Sequence, residues 1–346
     1  MSKISDVLSI GNGRDYKNLA KGDIPVFGTG GYMTSVSDYL YDGETAFIGR
    51  KGTINKPYFY KGKFWTVDTL FYTHSFNGVT PHFVYCLFQT INWLRYNEAS
   101  GVPSLSKDTI EKIKVHIPQI EEQQKISLLL FLLDERIATQ SKIIEDLKKL
   151  KSAIIEIEYT PNAKTTSHIG DVIEQISKRN KNNAIQNVLS VSNRQGFIKQ
   201  SDQFENRNVA SEDTSNYKIV EQNDFAFNPA RINVGSIARL TTLEKGIVSP
   251  MYICFRTQEN VAPEYIDFFF ESKHFYCEIQ KRLEGSVRQC LSFEGLCNIP
   301  ISLPSLEMQQ RIGKRLLTLG QKIKTETDLL ELLNKQKQYL LRQMFI

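Results

Sequence analysis

The sequence predicts an α+β fold built as an internal repeat, in which two strand-rich globular domains are each followed by a long helix. Three observations predict this fold. A short motif containing Gln-Gln and a basic residue occurs twice. Each copy opens a stretch in which apolar residues alternate at steps of four and three, as in a long helix with a heptad pattern. The region before each copy contains short β-branched and aromatic runs separated by Gly, Asn and Asp, which is typical of strands and turns.

The repeated motif reads Ile117-Pro-Gln-Ile-Glu-Glu-Gln-Gln-Lys-Ile126 in its first copy and Leu303-Pro-Ser-Leu-Glu-Met-Gln-Gln-Arg-Ile312 in its second. Every matched residue lies 186 positions further along the chain. The same offset extends upstream of the motif, where it pairs Leu105-Ser106 with Leu291-Ser292 and Ile113 with Ile299. A constant offset over this span indicates a duplicated unit.

Both copies of the motif lead into helices whose apolar positions predict a coiled-coil seam. The seam residues are Ile126, Leu130, Leu133, Ile137, Ile144 and Leu147 in the first helix, and Ile312, Leu316, Leu319, Ile323, Leu330 and Leu333 in the second. Polar residues interrupt both seams at matching places, namely Gln140 and Lys151, and Glu326 and Lys337. We expect the helices to span residues 120–157 and 306–344, the first ending ahead of Pro161. The alternative is that each helix packs only on its own domain.

The two globular domains share their edges and differ inside. Ile4-Ser-Asp-Val7 resembles Ile169-Gly-Asp-Val172 at an offset of 165, so the domains differ in length. We place the first domain at residues 1–119 and the second at 169–305, with a polar linker over 158–168. Inside them, Gly52-Thr-Ile54 loosely parallels Gly235-Ser-Ile237. Similar edges around dissimilar interiors indicate one scaffold that carries two specificities.

Local patterns predict the elements within the domains. Strands are expected in the runs Thr45–Ile48, Pro57–Tyr60 and Ile247–Phe255. Helices are expected at Pro81–Tyr96 and Pro263–Leu283, because each opens with a proline that suits a first helical turn.

The composition limits the class of protein. A hydrophobic content of 41% with 23% charged residues is ordinary for a globular protein. No apolar run approaches the roughly 18 residues of a membrane span, and the N-terminus lacks the pattern of a signal peptide. We therefore expect a cytoplasmic protein that contacts no membrane. The odd number of scattered cysteines predicts buried free thiols rather than disulfides or zinc sites, at Cys86, Cys254, Cys277, Cys290 and Cys297.

Recognisable catalytic motifs are missing from the sequence. The histidines are scattered and lack metal-site spacing. Gly28-Thr-Gly-Gly31 is predicted to be a tight turn rather than a nucleotide loop, since no strand–loop–helix pattern surrounds it. Asn228-Pro-Ala-Arg231 lacks the second proline and the aromatic residue of the adenine methyltransferase motif. We therefore predict a binding protein that is not an enzyme and holds no metal or cofactor of its own.

The distribution of charge and polar loops suggests DNA as the ligand. The net charge is +5, with +3 in residues 1–120, +4 in residues 307–346 and −1 in each of the two stretches between. This pattern differs from the basic stripe of a non-specific DNA binder but permits local basic loops. Arginine forks pair with guanine, and Asn or Gln with adenine. Candidate DNA-contacting residues are Arg50, Lys51, Thr53, Lys56, Ser104 and Ser106 in the first domain, and Ser192, Asn193, Arg194, Gln195, Asn228, Arg231, Asn233, Ser236, Arg288 and Gln289 in the second. Ordinary solvated loops are the alternative.

The order of domain, helix, domain and helix resembles the specificity subunit of type I restriction–modification enzymes. The resemblance covers essentially the whole chain. It rests on this order and on the two junctions, which follow the pattern Ile/Leu-Pro-x-Ile/Leu-x-x-Gln-x-x-Ile at residues 117–126 and 303–312.

The resemblance implies that each domain is a target-recognition domain for one half of a split site in double-stranded DNA. It also implies that the two helices pair antiparallel as a spacer, relating the halves by pseudo-twofold symmetry. Two methyltransferase subunits would dock on this frame, and translocase–nuclease subunits would join them. S-adenosylmethionine, ATP and Mg²⁺ would belong to those partners.

Two other functions agree with the same sequence. One is a target-recognition subunit of a different restriction–modification system, in which a single partner both methylates and cuts. The other is a coiled-coil scaffold whose globular domains bind proteins. A free-standing methyltransferase is disfavoured by the missing cofactor loop.

Overall fold

The computed structural model describes residues 1–161, 167–193, 195–200, 213–285 and 289–345. The chain divides into two compact units. Unit 1 comprises Met1–Lys142 and Thr327–Ile346, and unit 2 comprises Ile143–Glu326. Each unit therefore holds one globular domain together with a segment of both long helices. The predicted α+β class with two strand-rich domains is confirmed.

Unit 1 is built on a six-stranded sheet and a small two-stranded one. Its strands are β1 Ser2–Lys3, β2 Ser9–Asn12, β3 Lys21–Gly28, β4 Gly31–Val36, β5 Tyr41–Gly49, β6 Tyr58–Thr66, β7 Leu70–His74 and β8 Lys114–Val115. The large sheet has the order β2-β7-β5-β6-β3-β4, in which only the β3–β6 pair is parallel. The turn between β3 and β4 begins after Gly28, and Gly31 has a φ of +103°. The predicted tight turn is therefore confirmed.

Three helices, α1 Ile4–Val7, α2 Pro81–Thr90 and α3 Lys107–Glu111, lie wholly in unit 1. The unit also holds the first part of one long helix, α4 Ile120–Tyr159, and the C-terminal part of the second long helix. The predicted helix Pro81–Tyr96 is wrong in its second half, because Ile91 is extended and a 3₁₀ helix, Trp93–Tyr96, follows. The buried Trp93 donates a hydrogen bond to the Phe88 carbonyl at 2.8 Å. This contact folds the segment back instead of letting α2 continue.

Unit 2 contains two four-stranded sheets and one two-stranded sheet among its described residues. The strands are β9 Ser167–His168, β10 Ile173–Ile176, β11 Val188–Ser192, β12 Gly196–Lys199, β13 Lys218–Glu221, β14 Phe225–Phe227, β15 Ile237–Arg239, β16 Lys245–Val248, β17 Ile253–Thr257 and β18 Pro300–Ile301. Their orders are β10-β17-β14-β15, β12-β11-β16-β13 and β18-β9. The run Ile247–Phe255, predicted as one strand region, belongs to two sheets. A turn in which the Tyr252 amide donates to the Ser249 carbonyl at 3.0 Å separates its two strands.

The helices of unit 2 are α5 Pro263–Phe269, α6 Lys273–Arg282, α7 Phe293–Cys297 and the start of the second long helix, α8 Leu306–Met344. The single helix predicted over Pro263–Leu283 is wrong, because Ser272 interrupts it. The Ser272 hydroxyl donates to the Phe269 carbonyl at 2.7 Å and accepts from the Phe275 amide at 3.1 Å. It thus ends α5 and forms the N-cap of α6.

In each unit, the beginning of the domain is hydrogen-bonded to its end, and these are the parts of the sequence that repeat. In unit 1, β1 pairs with β8, and the Ile4 amide donates to the Ile113 carbonyl at 3.0 Å. In unit 2, β9 pairs with β18, and the Ile169 amide donates to the Ile299 carbonyl at 2.9 Å. The start and the end of each domain therefore form one closed frame, which explains why both repeat while the interior varies.

The long helices contribute to the core of each unit. In unit 1, Ile126 and Leu130 of α4 and Leu341 of α8 lie in the cluster that contains α2. Within this unit Asp134 pairs with Lys337 at 2.5 Å. In unit 2, the buried cluster contains Ile154 and Tyr159 of α4 together with other residues, including Ile312 and Leu316 of α8. Late residues of one helix thus lie with early residues of the other, which is antiparallel packing.

Every predicted seam residue is buried or half-buried. The polar interruptions Gln140 and Glu326 are buried as well, and Lys151 and Lys337 are half-buried. Helix α4 runs to Tyr159, two residues beyond the expected end at 157, and α8 spans the predicted residues 306–344. Most of the predicted linker, residues 162–166, lies outside the described residues.

Candidate nucleic-acid interface

The candidate residues Arg50, Lys51, Thr53 and Lys56 lie in the connection between β5 and β6, and their side chains are exposed. The buried Ile54 anchors this loop from below. Gly52 has a φ of +94°, a conformation that a residue with a Cβ adopts at a cost. The loop therefore has a defined shape that presents its basic side chains to solvent.

A second segment of unit 1, residues 97–106, lies against this loop. The Leu105 amide donates to the Arg50 carbonyl and the Gly52 amide donates to the Pro103 carbonyl, both at 2.8 Å. Ser104, which is half-buried, bridges to Lys51 across the same contact. The two candidate loops that the sequence suggests for the first domain are thus brought together.

Ser106 forms hydrogen bonds within unit 1 and caps a helix. Its hydroxyl accepts from the Thr109 amide at 3.1 Å and donates to the Glu98 carboxylate at 2.7 Å. It is the N-cap of α3, as its repeat partner Ser292 is the N-cap of α7. The hydrogen bonds from Thr109 and, secondarily, from Ser106 also hold the pKa of Glu98 below its usual range.

Unit 1 also exposes two large residues that the sequence reasoning missed. Tyr32 and Met33 follow the turn between β3 and β4 and are 64% and 51% exposed. The Gly28 end of this hairpin is fixed by Tyr58, whose hydroxyl donates to the Gly28 carbonyl at 2.8 Å. Burial raises the pKa of Tyr58 well above its usual range. The Tyr-Met pair directly after the glycine turn is the sequence feature that could have predicted two exposed residues at this end of the hairpin.

In unit 2, the turn after β11 and the loop between β14 and β15 meet. The Ser236 hydroxyl donates to the Val191 carbonyl at 3.1 Å, and Gly235, with a φ of +89°, lies against Asn193. Asn193 and Gln195 are exposed, and Ser192 is half-buried. Arg194 lies outside the described residues.

The loop between β14 and β15 divides its candidate residues between two roles. Asn228 is buried, and its side-chain oxygen accepts from the Ala230 amide at 3.1 Å. Ser236 is buried as described above, so these two shape the loop. Arg231 is exposed and Asn233 is half-buried on the same loop.

The third candidate loop of unit 2, which contains Gln289, contacts the loop between β14 and β15. The Leu291 amide donates to the Pro229 carbonyl at 3.0 Å, and Glu284 pairs with Cys290 in an isolated bridge. Gln289 is exposed in this loop, whereas Arg288 lies outside the described residues. The contact of Leu291 with Pro229 matches that of Leu105 with Arg50, but the two loops differ in length ahead of the loosely parallel segments Gly52-Thr-Ile54 and Gly235-Ser-Ile237. The accepting carbonyl lies two residues before Gly52 but six before Gly235.

A cavity of about 460 Å³ is lined by the turn after β11, by Gly235 of the loop between β14 and β15, and by Arg239. The guanidinium of this buried arginine contacts Glu264 at 2.7 Å, Asp267 at 3.1 Å and the Asn223 side chain at 3.0 Å. Burial raises the pKa of the Asp267 carboxyl, and the Arg239 guanidinium opposes that shift. Arg239 thus fixes β15 to α5 beneath the candidate interface. No local pattern predicts this role of Arg239, because its partners lie 16 to 28 residues away along the chain.

Within the described ranges, no group of three or more His, Cys, Asp or Glu residues is arranged to hold a metal ion. All five cysteines are free thiols, but only Cys86 and Cys254 are buried, so the expectation of burial is wrong for the others. Burial raises the pKa of both Cys86 and Cys254 to about 12. In the part of the chain that the structure covers, no helix is long and apolar enough to cross a membrane.

Each unit joins the start and the end of its domain, brings polar loops together within itself and contains segments of both long helices, which defines a duplicated binding protein. The sequence matches the family described as "Type I restriction modification DNA specificity domain" over residues 1–149 and again over 161–335. The chain therefore belongs to that family, and the suspected resemblance is confirmed.

Individual relatives agree with this assignment. The type I restriction enzyme MjaVIII specificity subunit of Methanocaldococcus jannaschii is 24% identical over 338 residues, covering 87% of this chain and 74% of that protein. The EcoprrI specificity subunit of Escherichia coli is 26% identical over 143 residues, covering 39% of this chain and 35% of that protein. These relatives are named specificity subunits, in agreement with the prediction that the chain is a non-catalytic component.

Solved structures share the fold. The crystal structure of the S subunit of a type I restriction–modification system from M. genitalium has a TM-score of 0.69 at 13% identity, covering 99% of this chain and 95% of that one. A structure from work on complex assembly and conformational transition of the type I system has a TM-score of 0.54 at 14% identity, covering 99% and 96%. At these identities the likeness concerns the fold alone.

Proposed function

We propose that this chain is the DNA-reading subunit of a type I restriction–modification complex. Each globular domain reads one half of a bipartite site in double-stranded DNA. The chain carries no catalytic group of its own, and S-adenosylmethionine, ATP and Mg²⁺ belong to its partners. Two methyltransferase subunits dock on the long helices, translocase–nuclease subunits join them, and the complex acts in the cytoplasm.

The observation that carries this proposal is the meeting of distant polar loops in each unit. In unit 1 the basic loop of Arg50 and Lys51 is hydrogen-bonded to the segment that contains Ser104. In unit 2 the Ser236 hydroxyl joins the loop of Arg231 to the turn of Asn193, and the backbone bond from Leu291 to Pro229 joins it to the loop of Gln289. Arginine, lysine and amide side chains are those that contact phosphates and base edges.

The long helices suit a spacer between two half-sites. Helix α4 has 40 residues, which corresponds to a length of about 60 Å at 1.5 Å per residue. At about 3.4 Å per base pair this equals roughly 18 base pairs. A rigid pair of helices therefore limits how far apart the two recognised sequences lie.

DNA recognition is tested by a mobility-shift titration of the chain with and without the methyltransferase encoded beside it, followed by methylome sequencing of cells that express both. We expect methylation at a bipartite sequence. Replacing Arg50 and Lys51 by Ala should weaken or relax one half-site only, while the matched change at Arg231 should affect the other half. The absence of any sequence-specific shift with either sample would favour a protein-binding scaffold instead.

The spacer role has its own test. Inserting one heptad into α4 between Glu135 and Lys149, with a matching heptad in α8, should lengthen the gap by about 10 Å, or about three base pairs. The half-site sequences should stay the same. The converse exchange, residues 1–100 for a homologous domain, should change one half-site and leave the gap unaltered. Altered half-sites with an unchanged gap after the insertion would contradict the spacer role.

A further inference from the structure

The repeated junction motif separates into buried and exposed residues. Gln123 and Gln309 are buried and hydrogen-bonded to the backbone of their own domains. The other repeated polar residues of the motif are exposed, namely Glu121, Gln124 and Lys125 on α4 and Glu307, Gln310 and Arg311 on α8. These exposed residues repeat although burial does not require them. A shared contact with something outside the chain accounts for their repetition.

Three further exposed positions of the same helix turns differ sharply between the repeats. The first helix carries Leu128, Leu129 and Leu132, which are 59%, 44% and 56% exposed. The second carries the exposed residues Lys314, Arg315 and Thr318, each 186 positions further on. We refer to these sets as the leucine face and the basic face. Arg315 of the basic face also pairs with Glu158 at 3.6 Å.

We propose that the leucine face and the basic face are the two docking sites for methyltransferase subunits, and that the leucine face binds its subunit far more tightly. This inference rests on the function proposed above. Assembly is then stepwise: one methyltransferase subunit joins at the leucine face, mainly through apolar burial. The second joins at the basic face, mainly through charge.

A protein partner accounts for both faces. Leucine side chains offer no hydrogen bond to DNA, and clustered exposed apolar residues mark protein interfaces. The shared residues place a carboxylate, Glu121 or Glu307, one turn before a cation, Lys125 or Arg311. One partner helix with the complementary order of charges therefore fits both faces. A second copy of this chain would explain the leucine face only, because two basic faces repel each other.

The difference in binding follows from the physics of each face. Covering three half-exposed leucines removes apolar surface from water, a contribution that salt does not screen. Exposed Lys and Arg contribute through charges that salt screens strongly. We expect the first step to be tighter by on the order of thirtyfold or more at moderate ionic strength. Raising the salt should widen that gap.

The chain supplies its own matched controls, because each face can be converted into the other. The variant L128K/L129R/L132T gives α4 the basic face, and K314L/R315L/T318L gives α8 the leucine face. All six positions are exposed, and the ion pair that is lost, Arg315 with Glu158, lies at the surface. Circular dichroism should therefore match the parent chain, and thermal melting should change little. The full chain is titrated by calorimetry and native mass spectrometry with the methyltransferase subunit encoded beside it, at low and high salt.

We expect two distinct dissociation constants for the parent chain. The first variant should lose the tight step, leaving two weak steps that salt weakens further, and the second should show two tight steps that resist salt. Two equal steps that neither variant changes would overturn this inference while leaving docking itself in place. No binding by any of the three proteins would instead overturn the proposed docking of methyltransferase subunits. Self-association of the parent chain that L128K/L129R/L132T abolishes, measured by sedimentation, would assign the leucine face to a second copy and overturn the inference.

Discussion

Gln123, the buried glutamine of the first junction motif, is predicted to stabilise the attachment of α4 to its domain. Gln123 is fully buried in unit 1. Its side-chain oxygen accepts from the Thr80 amide, and its nitrogen donates to the Gly78 and Pro118 carbonyls, each at 2.9 Å. It therefore fixes the first turn of α4 to the N-terminal end of α2. Replacing it with Ala removes three hydrogen bonds at a net cost of about 0.5–1.5 kcal/mol each, or about 1.5–4.5 kcal/mol in total.

The neighbouring Gln124 provides a matched control, since it has the same chemistry on the same helical turn but is exposed. Gln124→Ala should change the free energy of unfolding by less than about 0.5 kcal/mol. Urea unfolding followed by far-UV circular dichroism should show an earlier transition for Gln123→Ala only, and hydrogen exchange at the Thr80 amide should accelerate. Equal midpoints for the two variants would refute the structural role of Gln123. Gln309→Ala should cost less, because its side chain makes two such bonds, to Ala262 and Pro304.

Three further predictions concern single residues. Arg239→Ala should destabilise unit 2 by about 1.5–3 kcal/mol in thermal melting, since it removes a buried cation and leaves two half-buried carboxylates without their partner. The exposed Arg231→Ala is the control, and equal melting temperatures would contradict the contact. Cys277 is the exposed cysteine and should react first with a disulfide reagent. Cys277→Ser should therefore remove the fast phase of a thiol titration, and an unchanged fast phase would place the reactive thiol elsewhere. Gly52→Ala should cost about 1–2 kcal/mol because of its positive φ, whereas Gly30→Ala, in open space with an ordinary φ, should cost much less.

The sequence predicts the frame of this protein well because the frame depends on local patterns. The heptad spacing and the position of Leu306 after Pro304 locate α8 without any knowledge of the rest of the chain. The repeat then transfers the same reasoning to α4. The glycines of Gly28-Thr-Gly-Gly31 likewise predict the tight turn that joins β3 and β4. In each case neighbouring residues carry the information.

The candidate interface could be predicted only in part, because long-range contacts shape it. The bond from the Leu291 amide to the Pro229 carbonyl joins residues 62 positions apart. No sequence pattern close to either residue predicts it. Asn228 looked like a base-contacting residue by composition, yet it is buried and shapes its own loop. Residue type predicts which side chains suit DNA, but only the fold decides which of them face solvent.

The polar interruptions of the seam connect the fold to the proposed spacer. Gln140 and Glu326 are buried at matching seam positions, and such residues cost stability while they specify one register. Lys337 pairs with Asp134 and Lys151 pairs with Glu271, at 2.5 Å and 2.6 Å. A slip by one heptad would move one helix along the other by about 10 Å, or about three base pairs of DNA. A spacer that sets the distance between two half-sites requires a single register more than it requires the greatest stability. Polar seam residues suit such a spacer, because they specify one register at a cost in stability.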